Sequence, residues 1–323
     1  MPANGPDVSL RAPAVRPILK WAGGKRQLLP ALRPFYPAAF GRFVEPFLGS
    51  GAVFLDCYNS RRLEGHEVHL SDTNADVIGC YRMVRDDVEG TIRALRQLES
   101  GHAAGGAAHF YEVRDERFNR NRLTIRDTDD PSRRYTPELA AMLIYLNRTG
   151  YNGLFRLNSR GAFNVPAGRY TSPRICDPEN LRAWSRALGA PGVSLTCAGF
   201  VEALAHLRAG DFVYLDPPYV PVSATASFTA YTAGGFDSDA QIRLQRLVVG
   251  LAGAGVFVLL SNSYAPEVRA LYARSAEARA AGLAAHTVRA RRAINSRASG
   301  RGMVREYVVT NVRRAGSATG GFV

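Results

Sequence analysis

Short apolar runs recur along this chain at the spacing of an alternating strand–helix fold. Phe43-Val44-Glu45-Pro46-Phe47 reads as a strand that ends in the turn Gly49-Ser50-Gly51. Ala52 to Ser60 then reads as a helix, with Val53, Leu55 and Tyr58 among its apolar positions. Glu67-Val68-His69-Leu70-Ser71-Asp72 predicts a second strand that stops on an acid, and Asn74 to Val84 a helix behind it. Farther along, Asp211-Phe212-Val213-Tyr214-Leu215-Asp216 predicts a buried strand cut off by Pro217 and Pro218. Gly255 to Asn262 adds another, and Val304 to Val312 closes the series. Near-continuous apolar strands alternating with helices point to an α/β fold, Rossmann-like and doubly wound, with a mostly parallel sheet covered on both faces.

The middle of the chain breaks this rhythm. From about Asp86 to Pro191 it is rich in Arg, Asn, Tyr and Gly, and carries the charged loop Arg126 to Arg134. The pattern predicts an inserted domain over residues 86–191, mainly helical, dividing a larger domain into 17–85 and 192–323. Within the insert, Gly153 to Leu157 and Ala162 to Val165 flank Ser159-Arg160-Gly161, which predicts a β-hairpin. Residues 1–16 hold no apolar leader and read as a flexible arm. No apolar run reaches the ~18 residues of a membrane span, so a cytoplasmic protein is expected.

Composition changes this picture only in part. The net charge of +13 and pI near 10.0 suit a polyanionic partner. Only two of the 41 basic residues are lysines, Lys20 and Lys25, a bias that a GC-rich coding sequence would also produce. Charge alone therefore leaves nucleic acid open. Cys57, Cys80, Cys176 and Cys197 are scattered, with no C-x-x-C pair, which argues against a zinc site or a disulfide framework.

The candidate chemistry lies where strands end, because ligands of open α/β sheets bind outside the carboxyl ends of their strands. Gly49-Ser50-Gly51 lets a ligand approach the backbone at a helix N-terminus. Asp72 follows at the distance suited to ribose hydroxyls. Phe54 stands where a dinucleotide fingerprint needs its third glycine, which disfavours NAD. Leu19 to Arg26 contains Gly-Gly-Lys but lacks the first glycine and the Ser/Thr of a phosphate loop. Asp216-Pro217-Pro218-Tyr219 is the most specific signal. Its prolines hold a carboxylate and a neighbouring carbonyl as adjacent acceptors beside an aromatic ring. Two acceptors match the two N–H donors of an exocyclic amine, and the ring can stack the base that carries it.

Leu19 to Lys25, Phe43 to Asp56, Ser71 to Asn74, Tyr145 to Tyr170 and Tyr214 to Tyr219 together resemble the Dam-type DNA adenine methyltransferases, in the same order, over most of residues 17–312. The resemblance implies a class I methyltransferase domain that uses S-adenosylmethionine without a metal, leaving S-adenosylhomocysteine. It implies Trp21, Lys25, Asp72 and Asp216 as cofactor positions, with Phe47, Gly49 and Gly51 shaping the same pocket. Asp216, Pro217 and Tyr219 would be catalytic, acting on the N6 amine of an extruded adenine. In the insert, Arg156 would read a guanine, Tyr151 and Asn152 would wedge into or touch the duplex, and Leu154 and Pro166 would meet bases. From residue type, phosphate contact is expected for Arg148, Arg160 and Arg169; the run Arg289 to Arg292 with Arg297, Arg301 and Arg305 departs from the family and suits either a phosphate-tracking loop or a solvated hairpin. The implied partner is double-stranded DNA, the expected site GATC, and the expected state a monomer associated with the nucleoid. Two alternatives stay open: an RNA or protein-glutamine methyltransferase, and a catalytically silent DNA-binding module.

Overall fold

Strands form where the apolar runs predict them. In the computed structural model, which describes residues 13–21, 25–220, 236–291 and 303–314, seven strands build one sheet. They are β1 (Phe43–Glu45), β2 (Val68–Asp72), β3 (Val193–Cys197), β4 (Phe212–Leu215), β5 (Phe257–Ser263), β6 (Ala284–Arg291) and β7 (Met303–Thr310). Their order is β3-β2-β1-β4-β5-β7-β6. β1 to β5 are parallel, while β7 runs antiparallel to both β5 and β6. The expected doubly wound sheet is therefore present. β3 and β6 escaped the sequence pattern because they are the two edges: Val193–Cys197 is largely half-exposed, and Ala284–Arg291 carries His286 and two arginines among its apolar residues.

Helices α1 (Leu29–Leu32), α2 (Ala52–Asn59) and α3 (Ala75–Asp86) belong to the first units. Four more lie between β2 and β3: α4 (Val88–Glu112, interrupted at Gly106), α5 (Asn119–Ile125), α6 (Pro137–Thr149) and α7 (Pro178–Leu188). The last are α8 (Phe200–Leu204), α9 (Ser238–Gly253), α10 (Pro266–Val268) and α11 (Ala276–Ala280). Short polar side chains start the long ones. Asn74 accepts from the backbone N–H groups of Asp76 and Val77, Thr136 from Leu139 and Asp177 from Asn180, the last two followed by proline. Alternate residues of the central strands point into two cores. Phe43, Leu70, Tyr214 and Leu259 join α2, α3, α6 and α7 on one face, and Val44, Val213, Val258 and Leu260 join α9 on the other. Among the described residues, no helix is long and apolar enough to cross a membrane.

The strand order reverses between β1 and β4, so their carboxyl ends open a crevice. The opposite ends are locked by Asp211. Its Oδ2 accepts from Arg42 Nη2 at 2.6 Å, Arg42 Nε at 3.1 Å and Arg208 N at 2.7 Å, and its Oδ1 from Arg42 N at 3.0 Å. Burial works to raise this carboxyl, but the Arg42 and Arg208 donors outweigh it and hold it below its ordinary value. A depressed folded-state pKa stabilises the fold above the unfolded value and loses that contribution as pH falls through the folded one. Asp211→Asn is accordingly expected to cost about 2 kcal/mol or more in urea unfolding at pH 7. The gap between parent and variant should close below about pH 4, and a gap unchanged at low pH would contradict the charge-based lock.

Candidate active site

At the end of β1 the chain makes its glycine turn, and two indoles dictate it. Gly49 has φ +45° and Gly51 φ +63°, a region that favours glycine. A Cβ on Gly49 would lie 2.7 Å from Trp21 Cδ1, and one on Gly51 2.9 Å from Trp184 Cη2. Asp72, at the end of neighbouring β2, ties the turn down. Its Oδ2 accepts from Gly49 N and its Oδ1 from Asn74 N, each at 2.9 Å. Burial pushes the Asp72 carboxyl up, and these backbone donors pull it back. Each oxygen keeps further lone-pair capacity, so the residue can still receive vicinal hydroxyls. Phe47 packs on Phe200 with ring centroids 5.7 Å apart, forming an aromatic wall beside the turn. Open glycine backbone, a carboxylate with spare acceptor sites and flanking aromatic rings fit a nucleoside-bearing cofactor.

The second half of the site is the corner after β4. Asp216 Oδ1 receives Lys25 Nζ at 2.8 Å and the Ser261 hydroxyl at 3.2 Å. Tyr214 and Ser261 are joined at 2.9 Å through their hydroxyls. Burial raises the Asp216 carboxyl above its ordinary value, with Glu306 adding to the rise, while Lys25 and Ser261 oppose it. The backbone around Tyr219 is held from outside: Gln241 Nε2 donates to the Pro218 carbonyl at 2.9 Å, and Ser263 Oγ to the Val220 carbonyl at 2.8 Å. Neither takes the carbonyl of Pro217. Lys25 Nζ also lies 4.4 Å from the centroid of the Tyr219 ring, and the Tyr219 hydroxyl donates to Glu306 Oε2 at 2.7 Å. The ring expected to stack a base thus carries an ammonium on one face. Burial first, then Asp216 and Glu306, push the Tyr219 phenol far above its ordinary range, so it stays protonated and can only donate to an anion.

Sequence reading missed the supports. Ser261, Gln241, Ser263 and Glu306 come from a helix and strands remote in sequence, with no local motif. Glu45 was also missed: it is 2 % exposed at the end of β1 and accepts from Phe54 N at 2.9 Å, which joins the strand to α2. Burial, then the backbone donor against it, and the nearby Asp216 and Asp72 leave this carboxyl well above its ordinary value.

Residues 147–155 reach the crevice through residues just upstream of Lys25. Asn147 accepts Lys20 N at 2.6 Å and donates to the carbonyls of Lys20 at 2.8 Å and Gly153 at 3.0 Å. Trp21 stacks on Phe155 with centroids 5.7 Å apart. Lys20, Trp21 and Lys25 therefore touch Asn147, the glycine turn and the corner in turn, while Ala22, Gly23 and Gly24 lie outside the described residues. The arms of the expected hairpin pair antiparallel at two isolated bridges, Leu157↔Phe163 and Gly150↔Ala167, with Asn158 N bonded to Ala162 O at 2.9 Å and Asn164 N to Arg156 O at 3.1 Å. Asn152 (φ +54°) and Gly153 (φ +62°) turn the chain between the two bridges, so the pairing is interrupted there.

Tyr151, Arg156 and Pro166 are exposed, and Asn152 and Leu154 half-buried. Arg156 folds back on Asn164, with Nε 2.7 Å from Oδ1 and Nη2 3.2 Å from the carbonyl. One expectation is corrected. Arg148 is half-buried and donates to the carbonyls of Ile18 and Pro17, so its guanidinium braces the N-terminal segment instead of facing phosphate. Arg160 and Arg169 are exposed. Of the C-terminal arginines, Arg292, Arg297 and Arg301 lie outside the described residues. Arg289 and Arg291 are in β6, and Arg305 packs 5.6 Å from the Tyr264 ring.

Comparison with known proteins supplies independent evidence. Residues 21–294 match the family described as D12 class N6 adenine-specific DNA methyltransferase. The chain is 36% identical over 300 residues to the Type II methyltransferase M1.LlaDCHI of Lactococcus lactis subsp. cremoris, covering 92% of this chain and 95% of that one. It is 39% identical over 259 residues to the Type II methyltransferase M.MjaIII of Methanocaldococcus jannaschii, covering 77% and 85%. A DNA adenine methylase of Escherichia coli is 36% identical over 293 residues, covering 91% and 94%.

Proposed function

This chain belongs to the D12 class of N6 adenine-specific DNA methyltransferases, and from that premise we propose that it methylates adenine N6 at GATC in duplex DNA after extruding the base. The observation that carries the reading is the pairing of two strand ends across the reversal of the sheet. Gly49, Gly51 and Asp72 stand on one side, and Asp216, Pro217 and Tyr219 on the other. When bound beside Trp21, Phe47 and the glycine turn, S-adenosylmethionine supplies a methyl that is already a strong electrophile. The chain's task is then to aim a weak nucleophile, since the N6 lone pair is delocalised into the purine ring.

Asp216 and the Pro217 carbonyl accept the two N–H bonds of that amine and turn its lone pair toward the methyl. Tyr219 stacks the base. Positioning of this kind is worth about 7–11 kcal/mol, against roughly a few kcal/mol to extrude a base. Lys25 holds Asp216 in place and shares it with the incoming amine. Residues 86–191 act as the target-recognition unit, with Tyr151, Asn152, Leu154 and Pro166 against the duplex. Arg156 exchanges its bonds to Asn164 for the O6 and N7 of guanine. The protein acts as a monomer, as suits transfer to one base at a time.

Labelled cofactor incubated with duplex DNA, tRNA or total protein tests the reaction. Label is expected in DNA, at adenine, and on GATC duplexes in preference to singly substituted ones. Label confined to RNA or protein would overturn the reading. Arg156→Ala is expected to narrow the discrimination at one base pair by about 1–3 kcal/mol without lowering cofactor affinity. Discrimination equal to the parent at all four positions would remove Arg156 from base reading.

A further inference from the structure

Glu306 belongs to no motif, and its strand gives it no reason to be acidic. It stands on β7 between Ser263 of β5 and Val288 of β6, ahead of four buried residues, Tyr307 to Thr310. Glutamate is disfavoured in such a strand, and this one adds a negative charge near Asp216. Its carboxylate accepts the Tyr219 hydroxyl at 2.7 Å. The two prolines set where Tyr219 leaves β4, but a tyrosine side chain still turns about two bonds. Glu306 holds the far end of the ring and Lys25 lies over one face, 4.4 Å from the centroid. Gln241 and Ser263 hold the backbone on either side.

We propose that Glu306 is a positioning residue for the base: anchored in β7, it sets the plane of the Tyr219 ring before DNA arrives, so that an extruded adenine meets a preset stacking surface beside Asp216. This rests on the functional reading above, because it concerns the same corner. Its carboxylate acts through the Tyr219 hydroxyl and takes no part in proton transfer or cofactor binding. Glu306→Ala should therefore lower kcat and leave the KM for cofactor unchanged. Glu306→Gln, which keeps an acceptor oxygen at the same reach, should recover most of the loss.

The test has two arms. In the kinetic arm, Glu306→Ala is expected to lower kcat by about tenfold to a hundredfold, the worth of a hydrogen bond to a charged group. In a Tyr219→Phe background, which has no hydroxyl to hold, Glu306→Ala should lower it no further. Equal losses in both backgrounds, or a loss carried by the cofactor KM, would overturn the proposal. The second arm needs no methyl transfer. Fluorotyrosine placed at position 219 of the full chain by codon suppression reports the ring through its 19F resonance. The resonance should move or sharpen on Glu306→Ala and return with Glu306→Gln. A resonance unmoved by Glu306→Ala would overturn the contact. Should the parent protein label no duplex adenine while this arm behaves as expected, the functional reading fails and the Glu306–Tyr219 anchor stands. Matched melting temperatures guard against a folding defect.

Discussion

Replacing Asp216 by alanine is expected to slow methyl transfer by about 10²–10⁴-fold, the range for a single positioned group that handles a reacting proton. The structure explains why this residue should dominate. Pro217 and Pro218 stop the ladder of β4 at Asp216, and Lys25 and Ser261 fix its Oδ1. On the proposed mechanism the substitution removes the amine's acceptor, and it also takes from Lys25, 5 % exposed, one ion-pair partner. Asp216→Asn separates the two effects. It keeps the shape and one acceptor oxygen but loses the charge, so its turnover should fall between parent and alanine. Single-turnover transfer of labelled methyl to a duplex, with cofactor binding measured separately, gives the answer. Turnover of the alanine variant within about threefold of the parent would place the chemistry elsewhere.

Gly49→Ala should be damaging through binding. Its φ of +45° costs a side chain about 1–2 kcal/mol, and its Cβ would sit 2.7 Å from Trp21 Cδ1. The indole has little room to yield, because Phe155 stacks against it. Cofactor affinity is therefore expected to fall by at least about tenfold, or 1.4 kcal/mol, in equilibrium dialysis. Gly65→Ala is the control: at φ +77° it shares the backbone strain, yet its Cβ would meet nothing within 4 Å. It should lower stability and leave the cofactor bound as before. Equal loss of cofactor affinity in the two variants would show that strain, not the indole, is responsible.

Much of the candidate site was legible because two of its parts are local. The glycine turn and the proline corner are each written in a few adjacent residues, since a positive φ demands glycine and an abrupt strand exit suits proline. Lys25 was legible only through resemblance, and its ammonium lies at Asp216 and Tyr219. Arg148 misled because an arginine ahead of the 151–166 loop gives no hint that backbone carbonyls will claim it.

By itself, the sequence determined the fold class, the central strands and the two strand ends that form the candidate site. All of these follow from periodicity or from residues within a turn of one another. Only the tertiary structure decided which groups face the reacting corner. Ser261, Gln241 and Glu306 reach it by strand pairing and by helix packing on the sheet, and Trp21 lies against the glycine turn while stacked on Phe155. Such contacts join positions tens or hundreds of residues apart. Their energy is realised only once the chain has closed those loops, so no local pattern can encode them.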